Sequence, residues 1–202
     1  MHLSCIILDL MHMGDLGVVQ MVLGNVLLEL FFRMGGQVTR PEATIARMKA
    51  FMKEATDDLG CVQVSLSKLK LNAFYNKSKV CLKLKVVASR HLMPVVLRLL
   101  ELHFPVRDDY DQRVYHCLRE LCLMYDVLDN WTPASQAAAA THYRRHFLLY
   151  ESLARDRFVP GHPWLWWRLK PKHHPMFHVL EQLGNPRAYW NYGGVVCGCY
   201  DC

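Results

Sequence analysis

The segment Leu16 to Phe32 constrains the fold of this chain more than any other stretch. It is almost continuously apolar, and its polar side chains are Gln20, Asn25 and Glu29. The run is barely the length of a bilayer span, and a carboxylate inside one costs about 2.5 to 3.5 kcal/mol on insertion scales. Runs of this length with polar residues among them belong in protein interiors. The sequence therefore predicts a buried central helix from about Asp15 to Met34, stopped by Gly35-Gly36, and no membrane partner.

Other helices are predicted to pack around it. Thr39-x-x-Glu42 reads as a capping box with Pro41 in the first turn. Ile45, Met48, Phe51, Met52, Ala55 and Leu59 then share one face until Gly60. Apolar periodicity predicts helices over 89–103, despite Pro94 near the start, and over 109–129. It predicts two more, from Thr132-Pro133 through Leu153, and near 174–183 before Gly184. Leu3 to Leu8 reads as one short buried strand. An apolar fraction of 52% against 21% charged residues excludes a disordered chain. The predicted class is mainly α: a helical domain with one short core strand and a basic β-hairpin.

The hairpin is expected where the charge pattern changes. No acid occurs between Asp58 and Glu101, while Lys68, Lys70, Lys77, Lys79, Lys83, Lys85 and Arg90 fall there. Lysines alternate with apolar residues on both sides of Asn76-Lys77-Ser78, the period of a strand with one cationic face. Arg168, Lys170 and Lys172 follow Trp164, Trp166 and Trp167. Both clusters could contact phosphates and stack bases, or be a solvated face. The formal charge of +6 is compatible with a polyanionic partner such as DNA and does not demand one. Eight scattered cysteines make no disulfide framework and no secretory signal is read, so an intracellular location, nuclear or cytoplasmic, is expected.

Candidate chemistry lies at the two ends. Asp9, at the exit of the predicted strand, can hold a divalent metal or cap the following helix. His174 and His178 lie four apart on a predicted helix and could share a metal or simply pack. Cys197, Cys199 and Cys202 could close a Cys₃His zinc site with a histidine, but lack paired C-x₂-C spacing.

Leu8-Asp9-Leu10-Met11-His12, Lys170-Pro171-Lys172-His173-His174 with His178, and Trp190-Asn191-Tyr192 stand in the order of three motifs of the CACTA-type and related DDE transposases. The chain resembles the second half of that core, and also resembles repeated protist protein families related to mobile elements. The resemblance implies an RNase-H-like fold in which Asp9 is the second of three acidic Mg²⁺ ligands. It divides the chain into a core strand and helix (1–36), a helical insertion (37–160) and a Trp/His-rich closing segment (161–192). Together these form a single domain over 1–192, followed by an unstructured Cys-rich tail (193–202). The first acid of the family would lie upstream of Met1, and its final Glu soon after Tyr192. Gly193, Gly194, Val195 and Val196 stand there instead.

With Asp9 as the sole ligand matched, the expectation is a transposase-derived fragment without catalytic activity, binding DNA weakly and without sequence preference. Mg²⁺ would be the cofactor of any residual chemistry; no other cofactor or small-molecule substrate is expected. Two alternatives remain: an α-helical interaction or scaffold protein with no nucleic-acid role, and a small zinc-binding module built on the Cys-rich tail.

Overall fold

The computed structural model describes residues 11–60, 66–67, 69–76, 79–157, 166–169, 171 and 173–182. The predicted strand over 3–8, Asp9 and the Cys-rich tail lie outside them. The described residues are mainly helical, as the sequence predicts.

The first helical stretch begins at Met11, before the expected Asp15. It runs as a wide π-helical turn, Met11–Val19, and continues as α1, Gln20–Arg33. The acid read as a helix start is instead wholly buried, and Tyr125 donates its hydroxyl proton to the Asp15 carboxylate. Every residue of α1 from Gln20 to Phe31 is buried, so the long apolar run is the central post of the fold. Its end is where the glycines predict. Gly35 takes a positive φ of 76°, and the Gly36 N–H reaches back to the Phe31 carbonyl at 2.9 Å. Among the described residues no helix is long and apolar enough to cross a membrane.

The three polar side chains of α1 each tie a different segment to it. Gln20 holds the chain after the hairpin. Asn25 Oδ1 accepts the Trp167 backbone N–H at 2.8 Å, and its Nδ2 donates to the Met21 carbonyl at 2.8 Å. Glu29 accepts the Tyr110 hydroxyl and pairs with Arg157 at 3.1 Å. Tyr110 in turn accepts from Trp167 Nε1 at 3.1 Å and Arg157 Nε at 2.9 Å, which satisfies every polar group in the cluster that α1 buries.

Helix α2 is Glu42–Leu59. The capping box expected at Thr39 does not form. Arg40 N–H bonds the Gln37 carbonyl at 3.0 Å, closing a tight turn that contains Thr39, and Pro41 becomes the N-cap without a side-chain cap. Ile45, Met48, Met52 and Ala55 are buried as predicted, whereas Leu59 emerges at the surface beside Gly60, whose φ is 61°. A single helical turn α3, Leu71–Phe74, leads into β1, Tyr75–Asn76, paired antiparallel with β2, Lys79–Val80. The hairpin is therefore centred where predicted but much shorter, because the residues before Tyr75 coil into α3.

Helix α4, Val86–His103, starts three residues before position 89, so Pro94 falls mid-helix on its exposed side. Helix α5, Asp109–Asp129, is capped by the Asp108 carboxylate, which accepts the Asp111 N–H at 2.8 Å. A 3₁₀ turn, Pro133–Ser135, with a Thr132/Ser135 capping box, opens α6, Gln136–Asp156. Helices α5 and α6 pack along their length, α2 packs on α4, and α7, His173–Gln182, closes against α6. One core runs through all of these helices, with Trp167, Tyr143, Tyr150 and Phe31 among its largest members.

Candidate nucleic-acid interface

The basic segment is presented on a fixed platform. Leu82 N–H bonds the Gln20 carbonyl at 2.8 Å, and Gln20 Nε2 reaches the Leu84 carbonyl at 2.8 Å and Ser89 Oγ at 3.4 Å. The strand lies so close to α1 that a Cβ on Gly24 would stand 2.8 Å from both Cys81 Cα and Leu82 N. Beyond the two-residue strands the chains stay paired: Cys81 N–H bonds Phe74 O at 3.1 Å, and Lys83 N–H bonds Ala73 O at 2.6 Å. Leu69, Leu71 and Leu82 are consequently buried while Lys70, Lys83 and Lys85 are exposed, the alternation read in the sequence.

Ion pairing separates the cations of the acid-free window. Arg90 pairs with Asp129 and lies over the Tyr125 ring, 5.2 Å from its centroid. Arg98, in the same window, pairs with Asp58 at 2.6 Å and Glu101 at 2.9 Å. Both arginines are thus engaged by acids from outside the window. Lys70, Lys83 and Lys85 enter no ion pair among the described residues. Neither does exposed Arg40, in the turn before α2, which the sequence reading missed. Its signal was faint: a lone cation outside the acid-free window.

Arg40 stands between Val38 and Pro41, which line a groove together with Lys70 of the segment entering α3. The groove has a volume of about 440 Å³; Val38, Pro41 and Leu71 supply apolar wall, and Lys70, Glu42 and Asn72 supply polar groups. The Lys83 backbone N–H bonds the carbonyl of Ala73, the residue after Asn72 of the lining.

The remaining predicted residues do not join this surface as described. The placement of Lys68, Lys77, Lys170 and Lys172, the side chain of Lys79, and Trp190 to Tyr192 lie outside the described residues, as do Cys197, Cys199 and Cys202. Arg168 is exposed, and its backbone carbonyl accepts the Tyr150 hydroxyl at 3.2 Å. His174 and His178 do come together, with Nε2 atoms 3.1 Å apart. Among the described residues no third metal-ligating side chain completes a site with them.

One buried pair has the outline of a nucleophile and base. Cys117 Sγ lies 3.4 Å from His146 Nδ1. The same Nδ1 is 2.8 Å from the Cys117 carbonyl, which only accepts, so Nδ1 carries the proton and cannot take one from the thiol. Complete burial pushes the thiol well above its ordinary value and holds the His146 imidazolium down to about 4. Both stay neutral, and the pair is packing.

No protein-family model, curated protein or solved structure matches the chain. The surface itself is what speaks to function.

Proposed function

We propose that the protein binds nucleic-acid phosphates without sequence preference through Lys70, Lys83 and Lys85, and that it derives from a DDE-type transposase without retaining strand transfer. The observation that carries the binding is the contrast between Arg90 and Arg98, which are paired with acids, and Lys70, Lys83 and Lys85, which enter no ion pair among the described residues. A lysine already neutralised by a neighbouring acid gains little from a phosphate; an unpaired, solvated one releases counterions from the polyanion. Such contacts fix position and do not read bases. The experiment is retention of the purified chain on duplex DNA at low salt. The variant Lys70→Gln/Lys83→Gln/Lys85→Gln should elute early with an unchanged circular dichroism melt, since all three side chains are exposed. Equal retention of variant and wild type would dismiss the reading.

The loss of chemistry rests on Gly193, Gly194, Val195 and Val196, which stand where the resemblance places the final Glu. Two-metal phosphodiester chemistry needs several carboxylates to hold both ions. No strand cleavage is expected with Mg²⁺ or Mn²⁺, and cleavage abolished by Asp9→Ala would overturn that expectation.

A further inference from the structure

We propose that the groove between the Gln37–Arg40 turn and α3 receives an unstacked base, so that the protein prefers single-stranded over duplex nucleic acid. This rests on the phosphate-binding reading and deepens it. The groove holds about 440 Å³, within the range of small-ligand sites. Val38, Pro41, Leu71 and the aromatic Tyr75 line it, an apolar surface suited to the face of a base. Val38 remains 41% exposed, an apolar side chain left open at the mouth. The polar groups have the chemistry of a base edge. Asn72 offers an amide donor and acceptor, and Glu42 accepts from ring or exocyclic N–H groups. The cations around the groove favour a nucleotide as its occupant. Lys70 lines the groove, Lys83 is bonded through its backbone to Ala73, and Arg40 precedes Pro41, all three unpaired and exposed among the described residues. A duplex buries its bases in the stack and can present only phosphates here, whereas a single strand can turn a base into the groove while its backbone follows the cations.

The test uses the full chain and fluorescence anisotropy at one low salt concentration. The probes are a labelled single strand, its duplex, and an abasic strand of equal charge. The single strand should bind at least about fivefold more tightly than the other two, the lower end of one base-stacking contact. Val38→Ser and Asn72→Ala, at exposed positions that leave folding intact, should bring the single strand toward the duplex level. Lys83→Gln/Lys85→Gln should weaken all three probes alike. Equal binding of the three probes, or a single-strand preference untouched by Val38→Ser and Asn72→Ala, overturns the base groove and leaves the phosphate reading standing. Binding of none of the probes overturns both.

Discussion

Asn25 shows how much one buried polar residue carries in an apolar helix. Its carboxamide accepts the Trp167 N–H, 142 positions away, and so docks the 166–169 segment on α1. Replacing it with Leu leaves that buried N–H without an acceptor, at a cost of about 1–3 kcal/mol. The Asn25→Leu variant should therefore unfold at lower urea concentration, and an unmoved midpoint would show that the tether contributes nothing. His146 gives a pH signature. Its folded value, about 4, lies below the unfolded value of about 6.5, so the unfolded chain binds the extra proton between them. The stabilisation from neutral His146 is complete above pH 6.5 and is lost as pH falls toward 4, about 2 kcal/mol by pH 5. Urea midpoints at pH 7.5 and 5 should differ accordingly in the wild type and much less in His146→Gln; equal shifts in both would assign the pH dependence elsewhere. The sequence marks Gln20, Asn25 and Glu29 as interruptions of an apolar run. It does not show what they hold, because partners such as Leu84 for Gln20 and Arg157 for Glu29 lie 64 and 128 positions away.

The elements divide by whether local or distant forces set their ends. Helices α5 and α6 were legible because apolar periodicity and cap residues agree: Asp108 caps α5, and Thr132-Pro133 opens the turn into α6. The box at Thr39 failed because the Gln37–Arg40 turn consumes that residue first. The hairpin was legible in position but not in extent, since burial of Leu71, Ala73 and Phe74 favours a helical turn over the strand that alternation implies. Gly24 was not legible at all. A glycine inside a helical pattern reads as a mild defect, yet here it lets the Cys81–Leu82 backbone lie directly on α1. In Gly24→Ala the strand must lift away, costing about 1–3 kcal/mol as overpacking does. The variant should melt at lower temperature and lose DNA retention along with the displaced lysines. A melt and retention equal to wild type would mean that the platform is not held by this contact.

At the scale of the whole molecule, α1 is a post buried from Gln20 to Phe31, and the other helices pack into one core around it. A charged substitution at its centre has nowhere to go. Leu23→Asp, at a wholly buried position, should abolish the folded circular dichroism signal, and a retained cooperative melt would remove α1 from the core. The same arrangement leaves Lys70, Lys83 and Lys85 exposed, while acids from α2, α4 and α5 neutralise Arg90 and Arg98. The sequence alone could not make that distinction, because ion pairs join residues far apart in the chain. The most direct measurement is the salt dependence of binding to duplex DNA. If Lys70, Lys83 and Lys85 neutralise phosphates, log affinity should fall linearly with log salt at about 0.9 per contact. Changing the three lysines to Gln should then flatten that slope by roughly two to three units. A slope that is the same in the variant and the wild type would contradict the assignment of this surface.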